Sequence, residues 1–347
     1  MRKFAKYYII TLILEIMFRK TIAFIGAVAA VASLWAADPY KVTMPLGADY
    51  DGAMVYIRNF DTGADIDSTL VAEGAAVFRG TMDEPVPARL IIDGQPGPMF
   101  ILEPGSMSFN GRSAFGSPLN DAFAAALDSL RAIGASYQAA PDDNARQAII
   151  DRYNQFQIDL MNANLDNPIG YFMLVQTSGL LSNEQIKETM AKSPLLANSK
   201  RVTNIIAMNE RKAATGVGSK YVDFDIDGQK LSDYVGKDGK YLLVDFWASW
   251  CGPCIRQTAV IKDLYKKYAD KLNVLGVAVW DEPDATRRAI ESHGLTWPCI
   301  LNAQSVPTDL YGITGIPCIM LIAPDGTIVS RDKQSEELCA DVAKYLE

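Results

Sequence analysis

The stretch Leu242-Leu243-Val244-Asp245-Phe246-Trp247-Ala248-Ser249-Trp250-Cys251-Gly252-Pro253-Cys254 decides how the C-terminal part of this chain is read. Its first half is an apolar run of strand length, interrupted by one acid, Asp245. Its second half brings two cysteines to a point where a helix can begin, because proline suits a first helical turn. A helix starting near Pro253 points unpaired N–H groups and its positive dipole end at Cys251. Both effects favour the thiolate, which is the reactive form. The two-residue spacing lets the sulfur of Cys254 reach that of Cys251, so the pair reads as a disulfide that opens and closes reversibly. Half of a zinc site is the competing reading. Such a site needs further ligands at metal spacing, and the chain has no second C-x-x-C and a single histidine, His293. The dithiol reading calls for no metal and no cofactor beyond the Cys251–Cys254 disulfide itself.

The flanking sequence predicts an α/β layout. Tyr241 to Phe246 and Leu275 to Trp280 are near-continuous apolar runs, as expected of strands covered on both faces. Between them Val260, Leu264 and Tyr268 recur at helical spacing, which predicts a crossover helix joining two parallel strands. A second helix from about Pro283 to His293 leads into Trp297 to Leu301, an extra strand. After the turn Asp325-Gly326, Thr327 to Ser330 pairs back as a hairpin. Leu338, Val342 and Leu346 mark a closing helix with one apolar face.

From about Tyr221 to Glu347 these marks resemble thioredoxin, and more closely the TlpA-like thiol-disulfide oxidoreductases of Gram-negative bacteria. Val244-Asp245-Phe246-Trp247 followed by Trp250-Cys251-Gly252-Pro253-Cys254 is similar to the active-site block of that family. Gly315-Ile316-Pro317, the run Cys318 to Ile322 and Pro324-Asp325-Gly326 resemble its proline loop, strand and hairpin turn. The resemblance implies a thioredoxin fold, a central mixed sheet flanked by helices, with a cis bond at Ile316-Pro317. It also implies roles. Cys251 attacks a partner disulfide, Cys254 resolves the mixed disulfide, and Asp245, as the buried aspartate, assists proton transfer to or from Cys254. Trp250, Pro253, Ile316 and Pro317 form the apolar surface on which a substrate chain lies, which suits extended polypeptide. Burying an acid such as Asp245 among apolar neighbours is costly without a purpose, and it raises the pKa toward general-base use near neutrality.

Three departures qualify the resemblance. Many TlpA-like proteins carry glutamate three residues after the second cysteine and proline two further on, where this chain has Gln257 and Ala259. Thioredoxin has a lysine near the end of its third strand, where this chain reads Val277-Ala278-Val279-Trp280. Threonine commonly follows the cis-proline, and here Cys318 stands beside Pro317, which leaves open a third participating thiol. Cys299, Cys318 and Cys339 otherwise read as small buried hydrophobes. Two other functions compete with the oxidoreductase. A thiol peroxidase needs threonine three residues before the reactive cysteine, and that position is Ala248. A partner-binding protein on a thioredoxin scaffold requires no dithiol, so the intact Cys251 and Cys254 speak against it.

At 347 residues, 49% of them hydrophobic, the chain is long enough for two or three structural units with real cores. A formal net charge of -8 argues against a nucleic-acid partner. At the N-terminus, Thr21 to Ala37 is apolar and alanine-rich after the basic Phe18-Arg19-Lys20. This has the form of a signal peptide ending at Ala36, with Met17 placed as a start. The competing reading is an uncleaved membrane anchor, although charge interrupts both apolar runs before the ~20 residues a span wants. Export places the dithiol where disulfides form and persist. The expected location is therefore the periplasm, free or anchored at the inner membrane facing it. The expected partners are disulfide-containing exported proteins and an upstream electron donor.

Between the signal peptide (1–36) and the catalytic module (221–347), the period changes once. Residues 38–115 show short β-type segments, Ala53 to Asn59, Ser68 to Val71, Ala75 to Thr81, Ala88 to Ile92 and Met99 to Leu102, separated by close turn signals. This predicts a small antiparallel sandwich or barrel, similar to the β-rich domain of unknown function that often precedes TlpA-like modules. Residues 116–213 read as helical. Ser117-Pro118 suits a helix start, Leu119, Phe123, Leu127 and Leu130 line one face, Ile149, Tyr153, Phe156 and Leu160 line another, and Ser182 to Gln185 has capping-box spacing. Residues 214–220 have the composition of a flexible linker.

Overall fold

The computed structural model describes residues 38–111 and 113–347. The expected signal peptide and the start at Met17 lie outside them. Among the described residues no helix is long and apolar enough to cross a membrane. The chain divides between Asn204 and Ile205 into two compact units.

The first unit begins with β1 (Asp38–Pro45), β2 (Met54–Asn59), β3 (Asp65–Leu70), β4 (Ala75–Met82), β5 (Val86–Ile92), β6 (Gln95–Leu102), β7 (Gly105–Phe109) and β8 (Ala114–Phe115). They form two four-stranded sheets, ordered β4-β1-β7-β8 and β3-β2-β5-β6. Alternate residues of both sheets, among them Val42, Phe78 and Met107 from one and Val55, Leu90 and Phe100 from the other, meet in one buried core. This is the β-rich domain that the turn spacing predicts. Every pair in it is antiparallel except β1 with β7, which run parallel. Parallel neighbours need a long crossover, and here the intervening strands, including the whole second sheet, supply it.

Helices α1 (Pro118–Ala135), α2 (Asp143–Asn162), α3 (Pro168–Thr177), α4 (Asn183–Met190), α5 (Pro194–Ala197) and α6 (Lys200–Ala214) follow. Leu119, Phe123 and Leu130 of α1 and Phe156 and Leu160 of α2 are buried as their spacing predicts. The capping box at Ser182 and Gln185 is formed in both directions. The start of α1 is capped differently from the expectation. Ser117 occupies the N-cap position, but its hydroxyl donates to Glu103, and the buried Glu103 carboxylate accepts from the Leu119 and Asn120 amides. A carboxylate meets the free N–H groups and the helix dipole better than a hydroxyl does, so the distant acid displaces the local serine.

The second unit contains β9 (Asp225–Ile226), β10 (Gln229–Lys230), β11 (Tyr241–Trp247), α7 (Gly252–Lys267), β12 (Leu272–Ala278), α8 (Pro283–His293), β13 (Cys299–Ile300), α9 (Val306–Tyr311), β14 (Cys318–Ile322), β15 (Ile328–Arg331) and α10 (Ser335–Leu346). Its five-stranded sheet has the order β13-β12-β11-β14-β15. The β11/β12 and β12/β13 pairs are parallel, and β14 runs antiparallel to β11 and to β15. This is the mixed, helix-flanked sheet of the thioredoxin fold. One face packs Leu243, Trp247, Ile319 and Leu321 with Cys254, Ile261, Leu338 and Val342 of the helices. The other packs Leu242, Val244, Phe246, Val277, Cys318 and Met320 with Tyr311.

Strand β12 starts three residues before the expected Leu275 and stops at Ala278, because Trp280 turns out of the sheet at φ 52. The expected strand Trp297 to Leu301 shrinks to Cys299–Ile300. Residues 214–220 are held against the sheet. The Gly218 amide donates to Ile328 O at 2.8 Å, Ile328 N donates to Ser219 O at 2.8 Å, and Arg331 Nη1 donates to Thr215 O at 2.8 Å. Their polar backbone groups complete the edge beside β15, which flexible composition alone does not exclude.

Candidate active site

Strand β11 delivers Trp247 to the sheet end, and Ala248 to Trp250 form the turn that carries Cys251 to the start of α7. Cys251 is the N-cap residue and Pro253 lies in the first turn. The two cysteines are joined in a disulfide with their Cα atoms 5.2 Å apart. The Cys254 amide donates to Cys251 Sγ at 3.2 Å. The Cys251 sulfur thus takes the position a capping oxygen usually holds, facing the free N–H groups of the helix. Cys251 keeps 4% of its surface exposed and Cys254 keeps none. Cys251 Sγ also lies 3.8 Å from the carbonyl oxygen of Ile316. That residue precedes Pro317, and the Ile316-Pro317 bond is cis.

Around the disulfide, Trp250 is 62% exposed, Pro253 is exposed, and Ile316 and Pro317 are half-buried. The four residues expected to form an apolar surface therefore border the cysteines by sequence or contact. Trp250 is fixed there by its indole N–H, which donates to Trp280 O at 2.9 Å. Sequence reading missed the support beneath this loop. The buried Asp281 accepts from Ser249 N at 2.7 Å, Ser249 Oγ at 2.9 Å and Thr286 Oγ1 at 2.8 Å. The run Trp280-Asp281-Glu282-Pro283 carries a helix-start signal, but nothing in it names Ser249 as the partner.

Asp245 is 2% exposed, on the same sheet face as Leu243 and Trp247. Its Oδ1 is buried with no hydrogen-bond partner, and burial pushes its carboxyl up to about 7. Desolvation is the cause. Gly276 pairs with Asp245 across β11 and β12. A Cβ at Gly276 would sit 2.7 Å from Cys299 Sγ and 3.1 Å from Trp247 Nε1, so a side chain there would force those neighbours to move. Burial, with Asp245 adding to it, pushes the Cys299 thiol up to about 12, which keeps it protonated and unreactive.

Gln257, at the place where the resemblance would put glutamate, is also buried. Its Nε2 donates to Ser335 Oγ at 3.0 Å and its Oε1 accepts from Ser335 N at 2.9 Å. This amide brackets α7 to the start of α10. The open question of Cys318 is answered against a third thiol at the disulfide. Cys318 pairs directly with Phe246, and Asp245 with Ile319. Directly opposed residues share a face, so Cys318 packs on the side of the sheet away from Asp245, Cys251 and Cys254. Its thiol donates to Asp332 Oδ1 at 3.2 Å, and burial followed by the Asp332 charge raises its pKa. Cys339 is exposed on α10.

A paired-cysteine helix N-terminus beside a proline loop on a five-stranded mixed sheet defines a thioredoxin-like oxidoreductase. Comparisons with known proteins agree. The model of the AhpC/TSA family matches residues 217–331, and that of a domain of unknown function, DUF4369, matches residues 40–123. The thiol-disulfide oxidoreductase ResA of Geobacillus thermodenitrificans is 32% identical over 123 residues, 34% of this chain and 69% of the relative. The thioredoxin-like protein YneN of Bacillus subtilis is 30% identical over 117 residues, 32% of this chain and 68% of the relative. Among solved structures, the thioredoxin domain of a thiol-disulfide oxidoreductase from Bacteroides vulgatus matches with 28% identity, 38% of this chain, 97% of that chain and a TM-score of 0.33. The chain belongs to the ResA-like and TlpA-like thiol-disulfide oxidoreductases, and its match to the DUF4369 model lies ahead of the thioredoxin-like part.

Proposed function

We propose that this oxidoreductase reduces disulfides in exported proteins through Cys251 and Cys254. In the reduced enzyme the Cys251 thiolate attacks one sulfur of a partner disulfide, which forms a mixed disulfide and releases the partner's other sulfur as a thiolate. Asp245 takes the proton of the Cys254 thiol, and the resulting thiolate attacks Cys251. The partner leaves with both sulfurs reduced, and the Cys251–Cys254 disulfide carries the two electrons' worth of oxidation. An upstream donor of two electrons returns the pair to the dithiol. Trp250, Pro253, Ile316 and Pro317 receive the partner as an extended chain, with the Ile316 carbonyl beside the reacting sulfur.

The observation that carries this reading is the Cys251 sulfur at the amino end of α7, accepting from the Cys254 amide, with Asp245 buried and unneutralised on the same sheet face. A periplasmic location follows from the signal-peptide form of the N-terminus. Peroxide reduction is less well served, because Ala248 offers no hydroxyl to orient a peroxide. The experiment is insulin reduction by the purified chain with dithiothreitol, paired with capture by the Cys254→Ser variant in periplasmic extract. Turnover and covalent adducts through Cys251 are expected. The absence of both turnover and adducts would sink the reading.

A further inference from the structure

The first unit holds two arginines, Arg89 and Arg201, that form no ion pair with a carboxylate among the described residues. Arg89 lies on β5, between the buried Ala88 and Leu90, so its side chain leaves the opposite face of the sheet from the core. Its cross-strand neighbour is Arg58. Like charges so placed repel, yet only Arg58 is satisfied, by an ion pair with Asp65 at 2.6 Å. Arg89 has no carboxylate partner among the described residues, and its Nε is buried without a hydrogen-bond acceptor. Its guanidinium lies 5.1 Å from the centre of the Phe60 ring.

A second guanidinium reaches the same ring. Arg201 lies 4.2 Å from the Phe60 centre, with its Nε donating to Phe60 O at 2.8 Å. The neighbouring acid Asp61 makes no side-chain bond to it. Its carboxylate accepts from Ser199 Oγ, the Lys200 and Arg201 amides and Tyr171 Oη, and so caps α6. Burial and the nearby Arg201 together hold Arg89 below its ordinary basicity. Phe60, Arg89 and Arg201 are all half-buried, so the place is sheltered but still reached by solvent. Two like charges converging on one aromatic ring, with Asp61 as the nearby acid and no ion pair from either guanidinium among the described residues, leave positive charge that a bound anion can balance.

We propose that Arg89 and Arg201 form a binding site for a small oxyanion, a carboxylate or a phosphate, held between the two guanidinium groups beside Phe60. Planar guanidinium donors match both groups, and an anion there relieves the repulsion and gives the buried Arg89 Nε–H an acceptor. The Phe60 ring, flanked by Phe172 with centres 5.5 Å apart, fixes the pair and supplies an apolar wall.

Isothermal titration calorimetry on the full chain tests this with three probes: inorganic phosphate, succinate, and a tripeptide with a free or an amidated C terminus. Saturable one-to-one binding of at least one oxyanion is expected. A free-terminus peptide that binds where its amide does not identifies a peptide carboxylate as the source, and phosphate binding alone identifies phosphate. Arg89→Gln and Arg201→Gln should each weaken binding at least tenfold with an unchanged circular dichroism spectrum. Arg58→Gln, which removes an already paired charge on a neighbouring strand, should leave binding within twofold. The site is overturned if no probe binds, or if binding survives both Arg89→Gln and Arg201→Gln, or if Arg58→Gln weakens it equally.

Discussion

The Cys254 amide donates to the Cys251 sulfur at 3.2 Å, across the first turn of the helix that the two residues open. When the disulfide is reduced, that N–H and the helix dipole stabilise negative charge on Cys251 and leave Cys254, fully buried one turn in, without equal help. Iodoacetamide labelling of the reduced protein followed by mass spectrometry across a pH series should therefore modify Cys251 first. Its midpoint should fall at least a full unit below the ~8.5 of a free thiol. Equal labelling of both cysteines, with an unshifted midpoint, would remove the helix end as the activating feature.

Asp245 makes stability depend on pH in a defined direction. Its carboxyl titrates at 3.8 when exposed and at about 7 when buried. Between those values the unfolded chain has lost the proton and the native chain keeps it, so stability falls as pH rises through this window and levels off above it. The shift corresponds to roughly 4 kcal/mol once complete. Asp245→Asn should match the oxidised wild type near pH 4 and exceed it by a few kcal/mol at pH 8 in urea unfolding. The described tryptophans, Trp247, Trp250, Trp280 and Trp297, all lie in the second unit, so their fluorescence reports that unit alone. The same variant should slow disulfide exchange. A variant no more stable than wild type at pH 8 would show that Asp245 is solvated.

Cys318 stands next to Pro317 in sequence but is expected to take no part in exchange. It is 2% exposed and packs with Phe246 and Met320 across the sheet from the disulfide. Cys318→Ala should keep insulin reduction within twofold of wild type and lose only the stability of one small buried side chain and its bond to Asp332. Loss of turnover in a folded Cys318→Ala protein would restore the third-thiol idea.

Much of the second unit could be read before its structure because its signals are local. Apolar runs bounded by proline and glycine give β11 and β14, the 3.6-residue recurrence of Leu338, Val342 and Leu346 gives α10, and Cys251-Gly252-Pro253-Cys254 marks the junction of strand and helix. What could not be read depends on parity or on distance. Adjacency to Pro317 suggested that Cys318 faces the disulfide, but strand alternation decides the face, and it is fixed only by the register that pairs Cys318 with Phe246. Gln257 looked like a neutral gap in the chemistry because Ser335, its partner, lies 78 residues away. The Asp61 carboxylate and the amide of Arg201 that it caps are separated by 140 residues. Propensity carries no information about such pairs.

The bracket between Gln257 and Ser335 has its own consequence. Two hydrogen bonds at 2.9 and 3.0 Å tie a buried amide of α7 to the residue that begins α10 at φ 50. Gln257→Ala removes the acceptor of the Ser335 amide, and because Ser335 is exposed the cost is that of one ordinary hydrogen bond, about 0.5–1.5 kcal/mol. A lower urea midpoint by tryptophan fluorescence is expected, with the Cys251 labelling midpoint unchanged. A shifted labelling midpoint at unaltered stability would assign Gln257 to tuning the dithiol.

Asp281 offers the sharpest test of how the active-site loop is held. Its carboxylate receives the amide and hydroxyl of Ser249 and the hydroxyl of Thr286, while the preceding Trp280, turned out at φ 52, presents the carbonyl that anchors the Trp250 indole. Asp281→Ala removes the acceptor from the buried Thr286 hydroxyl and from two half-buried donors of Ser249, at a cost of about 1–3 kcal/mol. It also frees Ser249 and Trp250, immediately before Cys251. If Trp250 receives substrate, the loosened loop should raise KM for a disulfide-bonded protein severalfold while kcat on a small disulfide stays near wild type. Asp281→Asn, which keeps one acceptor oxygen, should recover part of both effects. A fall in kcat on the small disulfide with KM unmoved would instead place the contribution of Asp281 at the sulfur itself.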